Sequence, residues 1–277
     1  MKKKFGALLL SLILVFSVVS IAGAQDEVKS PDTYTHVTIG NQSTLDPHYS
    51  YDTASSEVID NVYECLIQYQ GESINKFAPL LATEVPSREN GLISEDGTEY
   101  TFPIREGVTF SNGNALTPED VKYSFLRGMI MDRAYGPMWM IYEPLFGDIS
   151  SLPGLTQEVV GVEDPKELTA EQSAKVFAEL DKKITIDGNE VTFHLENPYP
   201  PFLNILAQHA AWSSILDKEW SIKQGAWDGS PETIADYHDP VKEDDPLYDK
   251  MMGTGPFVLT EWVNGDHVIF KRNDNYW

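Results

Sequence analysis

Residues 97–127 of this chain read GTEYTFPIREGVTFSNGNALTPEDVKYSFLR, and they set the local architecture around them. Tyr100, Phe102 and Ile104 alternate with other side chains, which predicts a strand with one buried face. Pro103 lies inside this strand and predicts an edge position, because proline cannot donate a hydrogen bond to a neighbouring strand. The stretch therefore begins with a strand at the edge of a sheet.

A turn and a capped helix follow this strand. Asn112 and Gly113 are turn-forming residues. Thr117 occupies an N-cap position, Pro118 the first helical position and Asp120 the third, so that a helix is predicted to begin here. These local rules fit many proteins. The order of the residues is more specific.

That order resembles the signature of the extracytoplasmic solute-binding proteins of family 5, which serve ABC importers of oligopeptides, dipeptides and nickel. The family pattern is "tFxLRegvkFxdGxplTaeDVxySf". The matching residues are Tyr100, Phe102, Arg105, Glu106, Gly107, Val108, Phe110, Asn112, Gly113, Leu116, Thr117, Glu119, Asp120, Val121, Tyr123, Ser124 and Phe125. Residues 45–67, 78–84 and 253–277 also follow family blocks, in the expected order, so the resemblance covers residues 36–277.

The resemblance implies an α/β fold, the periplasmic binding protein-like type II clamp. It further implies that residues 25–52 and 184–277 build most of the main lobe and that residues 53–183 form an inserted domain of this first lobe. Relatives continue for about as many residues again after the block that ends at Trp277. We therefore expect an amino-terminal portion of such a clamp, with the second lobe absent.

The first residues predict export. Three lysines precede an apolar stretch that ends in Ala22, Gly23 and Ala24, as in a secretory signal peptide cleaved after Ala24. The alternative is a membrane anchor, since the uncharged stretch just reaches the ~20 residues needed to span a bilayer. Cleavage is favoured by the small residues, and a periplasmic location follows.

The composition of the chain limits the classes of partner and ligand site that we expect. The chain has 43 acidic and 20 basic residues, a net charge of −23, which argues against nucleic acid as a partner. Cys65 is the only cysteine, so no internal disulfide can form. The six histidines show no metal-ligand spacing, and we expect neither a metal site nor a cofactor.

Further elements follow from local patterns. A short strand is predicted over residues 36–40, and apolar spacing over residues 55–67 is helical. Thr169 and Gln172 predict a capping box for a helix. Residues 184–195 predict a hairpin with one apolar face, and Pro201 the start of another helix.

The candidate ligand-binding residues fall in three groups: Asn41, Gln42, Ser43 and Thr44; the aromatic residues Trp139, Tyr142 and Trp212; and Gly253, Thr254 and Gly255. The first group follows the predicted first strand, where open α/β sheets bind ligands. Each aromatic residue fits either a cleft or a core, and the resemblance places Trp212 in a loop that faces the cleft. The glycine segment lacks the residues of a phosphate loop and predicts a turn, which the resemblance places near the hinge.

The resemblance implies binding of a small solute, with peptides preferred over sugars, nickel complexes or opines. Hinge closure around the solute would be followed by delivery to an ABC permease and its ATPase. Two alternatives stay open: a truncated product that binds nothing, and a secreted hydrolase. The sequence contains no G-x-S-x-G element, so an enzyme is disfavoured.

Overall fold

The computed structural model describes residues 32–208 and 211–277. The predicted signal peptide, residues 1–24, lies outside the described residues. The chain divides at residue 39 into two units, and the described part of the first, residues 32–39, is exposed without helix or strand. The strand predicted for residues 36–40 is therefore wrong. A strand requires a hydrogen-bonded neighbour, and no strand pair of the described chain includes these residues.

The second unit, residues 40–277, contains helices and small antiparallel sheets. Its helices are α1 (Thr53–Ile59), α2 (Pro118–Met131), α3 (Trp139–Phe146), α4 (Leu152–Val160), α5 (Ala170–Lys182), α6 (Phe202–Leu206), α7 (Lys218–Gln224) and α8 (Ile234–Tyr237). Its strands are β1 (Ile67–Tyr69), β2 (Phe77–Pro79), β3 (Glu99–Pro103), β4 (Ile184–Asp187), β5 (Glu190–His194), β6 (Phe257–Val263) and β7 (His267–Arg272). Short 3₁₀ turns lie at Pro165–Glu167, Pro231–Thr233 and Lys242–Asp244.

The predicted edge strand and the predicted hairpin belong to one antiparallel sheet with the order β3-β5-β4. β3 is an edge strand of this sheet, as predicted. It ends at Pro103, so that Ile104 lies just beyond it. Tyr100 and Phe102 face the core, because alternate side chains of a strand point to the same side. The β4–β5 hairpin is confirmed, and Gly188 in its turn adopts a positive φ of 58°.

The capping box predicted at Thr169 is present, and α2 begins at the predicted N-cap Thr117, where a second capping box forms. The Asp120 carboxylate accepts hydrogen bonds from the Thr117 backbone N–H (2.8 Å) and hydroxyl (2.7 Å) at the start of α2. In α5, the Gln172 amide oxygen accepts from the Thr169 N–H, and the Thr169 hydroxyl accepts from the Gln172 N–H. Local sequence therefore determines where these two helices begin.

Two hydrophobic cores hold the second unit together. In the larger core, Phe193 of β5 makes edge-to-face contacts with Phe102, Phe125 and Phe202, with ring centroids 4.9–5.8 Å apart. α2 thereby packs on the three-stranded sheet. The smaller core contains Leu45, Val58, Ile59, Val62, Tyr63, Leu216, Ala226, Leu247 and Met251, with β6 and β7 side chains packed against it.

Helix α1 is shorter than the apolar spacing of residues 55–67 predicts. It ends at Ile59, although Val62, Leu66 and Ile67 are buried. The carbonyls of Asn61 and Val62 accept hydrogen bonds from the backbone of residues 257 and 255 instead of from the next helical turn. Contacts between distant segments therefore override the helical pattern here.

The proposed division at residue 183 runs through the three-stranded sheet. β3 belongs to the predicted inserted domain, whereas β4 and β5 belong to the predicted main lobe. The smaller core, in turn, joins residues 45–63 to residues 216–270. The domain boundaries remain a prediction. In the part of the chain described here, no helix is both long and apolar enough to cross a membrane.

The two capping boxes provide a matched test. Asp120 is buried and also accepts a hydrogen bond from the Lys218 backbone N–H (2.9 Å), whereas Gln172 is partly exposed. We expect Asp120→Ala to lower the free energy of unfolding by about 3 kcal/mol, because it leaves buried donors without acceptors, and Gln172→Ala by about 1 kcal/mol. Urea denaturation followed by circular dichroism measures both values. Equal losses would contradict the tertiary role of Asp120.

Candidate functional site

The loop of residues 41–44 is attached to the start of α1. The Ser43 backbone N–H donates to the Ser55 hydroxyl (2.9 Å), and the Ser43 hydroxyl donates to Asp52 (2.5 Å). Asp52 also caps α1 by accepting from the Ser55 N–H (2.8 Å). Asn41 is exposed, Gln42 and Ser43 are half-buried and Thr44 is fully buried. The loop is therefore held by its own polar side chains, and its first two residues remain at the surface.

A buried ionic cluster lies next to this loop in the chain. Arg127 of α2 donates to both carboxylate oxygens of Asp46 and to Asp245 (3.4 Å). Asp46 in turn accepts from the His48 N–H (2.8 Å), and all four residues are at most 4 % exposed. A buried arginine with two carboxylates joins three distant parts of the chain. Their separation is costly, since each charge would be left without a partner.

The pKa values in this cluster move in opposite directions. Burial alone would raise the pKa of Asp46, but the charge and hydrogen bonds of Arg127 outweigh burial and lower it. Burial and the neighbouring Asp46 charge raise the pKa of Asp245 to about 8. Burial and the Arg127 charge lower the pKa of His48 to about 4. At neutral pH the cluster therefore holds one positive and one negative charge, with Asp245 protonated and His48 neutral.

The glycines of residues 253–256 allow a close backbone contact. A Cβ atom added to Gly253 would lie 1.9 Å from the Val62 carbonyl oxygen, and one added to Gly255 would lie 2.7 Å from it. The Gly255 N–H donates to this same oxygen (2.9 Å), and Gly253 accepts from the Ser111 N–H (3.0 Å). The turn is buried against residues 61–64. The prediction of a structural turn thus has a physical reason: only glycine fits.

Glu64 connects this turn to the end of the chain. Its buried carboxylate accepts hydrogen bonds from the Thr254 hydroxyl (2.7 Å), the Tyr276 hydroxyl (2.7 Å) and the Trp277 indole N–H (3.0 Å). The guanidinium of Arg105 lies 4.9 Å from the centre of the Trp277 ring. Thr254 is therefore occupied by an internal bond. The Gly255 carbonyl likewise accepts a hydrogen bond from the Asn273 side-chain amide (3.0 Å), and all three residues of the turn are buried.

The three predicted aromatic residues lie in different environments. Tyr142 is fully buried, and its hydroxyl donates to the Met129 carbonyl (2.7 Å), so its ring belongs to the core. Trp139 is 40 % exposed at the first residue of α3. Trp212 is half-buried and contacts Tyr51 edge-to-face, with ring centroids 6.3 Å apart. Of the three, Trp212 is the one connected to the loop of residues 41–44, since its partner Tyr51 directly precedes Asp52, which accepts a hydrogen bond from Ser43.

The loop of residues 41–44 and the glycine turn lie at opposite ends of α1. Asp52 joins the loop to the start of α1, and Val62 contacts the turn just beyond its end. Seven residues separate the two ends by about 10 Å. The structure therefore brings two of the three predicted groups to one short helix. Sequence reasoning missed Asp46, Arg127 and Asp245 because their contacts span 81 or more residues of sequence.

The raised pKa of Asp245 predicts a pH dependence. The folded protein holds this proton more tightly than the unfolded chain, so its contribution to stability is present at low pH and is lost as pH rises from about 4 to about 8. We expect the free energy of unfolding of the wild-type protein, relative to that of Asp245→Asn, to fall between pH 5 and 7 by up to about 1.4 kcal/mol per pH unit. Urea midpoints measured across this range test it. Asp244→Asn, at an exposed neighbour, should run parallel to wild type, and a parallel Asp245→Asn curve would contradict the assignment.

The close approach at Gly253 predicts a large cost for any side chain. We expect Gly253→Ala to lower the free energy of unfolding by about 3 kcal/mol or more, because backbone atoms must move apart. Gly154→Ala is the matched control, since its Cβ would meet side-chain atoms alone, at 3.3 Å and 3.5 Å, which need to move by only a few tenths of an ångström. Thermal unfolding of both variants measures the difference. A stable Gly253→Ala protein would show that the turn can relax.

A model of the bacterial extracellular solute-binding proteins, family 5, middle region, matches residues 76–277. The dipeptide-binding protein DppE of Bacillus subtilis is 25 % identical over 260 residues, which are 92 % of this chain and 38 % of DppE. The glutathione-binding protein GsiB of Escherichia coli K12 is 26 % identical over 237 residues, covering 86 % of this chain and 34 % of GsiB. The structure of DppA from Helicobacter pylori in complex with the peptide STSA matches with a TM-score of 0.53 and 23 % identity, over 86 % of this chain and 38 % of that chain.

The chain thus spans a little over a third of the length of the proteins it resembles. The match to this structure confirms the predicted fold class. The chain has an α/β fold that corresponds to part of a periplasmic binding protein-like type II clamp. The family model covers most of the chain, including the signature, the glycine turn and the block that ends at Trp277. The chain belongs to the bacterial extracellular solute-binding proteins of family 5.

Proposed function

We propose that this chain takes part in binding a small solute, preferably a peptide, outside the cytoplasm for an ABC importer. Membership of the family carries this proposal, since the matched relatives are named as dipeptide- and glutathione-binding proteins. The predicted signal peptide, with cleavage after Ala24, would place the protein in the periplasm. The partners would be the permease and ATPase of the importer.

The mechanism proposed is closure of a hinged clamp. A solute that contacts both lobes stabilises the closed state more than the open state, and so shifts the population toward closure. This chain would supply the first lobe, with residues 25–52 and 184–277 as its main part and residues 53–183 as an inserted domain. The protein would hold its solute without transforming it.

The binding surface proposed combines the loop of residues 41–44 and Trp212. Backbone polar groups can satisfy a peptide main chain, whereas half-buried rings provide apolar contact. Trp212 is supported by its contact with Tyr51 beside the loop. Trp139 is exposed and stays a candidate. Tyr142, Gly253, Thr254 and Gly255 are left out of this surface because they are buried.

Intrinsic tryptophan fluorescence tests the proposal. Titration of the protein with mixtures of di- and tripeptides should give a saturable change, confirmed by isothermal titration calorimetry. Trp212→Phe should lose most of the fluorescence change, because Trp212 lies beside the proposed surface. Trp220→Phe is the matched control, since Trp220 packs against the smaller core, and it should keep the change.

Two outcomes would contradict the proposal. The absence of any saturable response at millimolar peptide would favour a product that binds nothing. Turnover of peptide or ester substrates would favour a secreted hydrolase. Both outcomes are read in the same titration, the second by chromatography of the peptides after incubation.

A further inference from the structure

An open depression of about 670 Å³ extends from Ser43 of the proposed binding loop to residues 239–243. Arg133, Lys166 and Lys242 line it, together with Asp239 and Glu243. Three cations against two carboxylates give this surface a positive balance, although the whole chain has a net charge of −23.

Pairing within the depression leaves the charge of Arg133 unbalanced. Lys166 lies 3.9 Å from the Asp239 carboxylate, and Lys242 lies 3.4 Å from that of Glu243. Among the described residues, no carboxylate lies within ion-pair distance of Arg133. The two lysines therefore neutralise the two acids, and the guanidinium provides the net positive charge.

The guanidinium of Arg133 is fixed in place by uncharged groups. Its Nε donates to the Tyr49 carbonyl (2.6 Å), and one Nη donates to the Ala134 carbonyl (3.2 Å). The group also lies 4.8 Å from the centre of the Tyr49 ring. These contacts orient the side chain without supplying a counter-ion. A pre-oriented arginine is suited to bind a planar carboxylate with two parallel hydrogen bonds.

The backbone around Arg133 is strained. Asp132, Tyr135 and Asp239 have positive φ values of 26°, 60° and 41°, which side chains other than glycine rarely adopt. The strained segments hold each other, because Asp239 N–H donates to the Met131 carbonyl (2.7 Å) and Ala134 N–H donates to the Asp239 carboxylate (2.9 Å). Such strain persists only where the surroundings enforce it, and it is concentrated at functional sites.

We propose that this depression is a carboxylate subsite, in which Arg133 binds the free carboxylate of the solute that the neighbouring loop helps to hold. The inference rests on the proposed solute-binding function and adds to it a chemical preference: an acidic end group on the ligand. Ser43 lies on both the loop and the depression, which places the subsite beside the proposed surface.

Titration with small anions tests the subsite without any peptide. The Nε–H nuclear magnetic resonance signal of Arg133, identified by its loss in Arg133→Gln, should shift with acetate and saturate. The signal of Arg272, an exposed arginine paired with Asp274, is the control and should not saturate. A linear drift shared by both arginines would overturn the subsite. Saturation by inorganic phosphate at a more than tenfold lower concentration would overturn the carboxylate assignment.

Matched peptides test the link to solute binding. A peptide with a free carboxylate should bind the wild-type protein about tenfold more tightly than its carboxyl-terminal amide, because a hydrogen bond between charged groups contributes about that factor to affinity. In Arg133→Gln this ratio should fall close to one, whereas Arg272→Gln should keep it. An unchanged ratio in Arg133→Gln would overturn the proposal. If neither peptide binds, the proposed function fails, and the acetate titration still decides whether the subsite exists.

Discussion

The approach of two glycines to the carbonyl of Val62 is the constraint on which much of this structure depends. Gly253 and Gly255 bring one backbone against another at a distance that excludes any Cβ atom. Around this contact, Glu64 accepts from Thr254, Tyr276 and Trp277, so that one carboxylate joins residues far apart in the chain. The last strands of the unit are thereby fixed to the segment that follows α1.

A second constraint is electrostatic. Arg127 of α2 lies between Asp46 and Asp245, all three buried. Burial favours the neutral form of one carboxyl group, and the proton on Asp245 removes the excess negative charge. The cluster fixes residues 46–48 directly after the proposed binding loop. The loop is therefore held from one side by the cap of α1 and from the other by a buried ion pair.

These two constraints leave a surface with contrasting parts. Ser43 and Asp52 hold the loop, Trp212 and Tyr51 provide an aromatic contact beside it, and Arg133 lies in the adjoining depression. Polar backbone, an aromatic edge and a fixed cation are the groups on which the proposed recognition of a peptide and its free carboxylate rests. Tyr142, in contrast, contributes to the core that supports α3.

Local sequence by itself determined the edge strand at Pro103, the hairpin of β4 and β5 and the starts of α2 and α5, because each depends on residues within a few positions of one another. The residue order of the signature also identified the family. Only the tertiary structure decided that α1 ends at Ile59, that residues 36–39 lack a strand, and that Tyr142 is core. The tertiary structure alone also brought Asp46, Arg127 and Asp245 together and placed Arg133 in its depression. Their environments are made by contacts across long sequence separations, where hydrogen-bond partners, burial and neighbouring charges are set by packing and leave no periodic trace in the sequence.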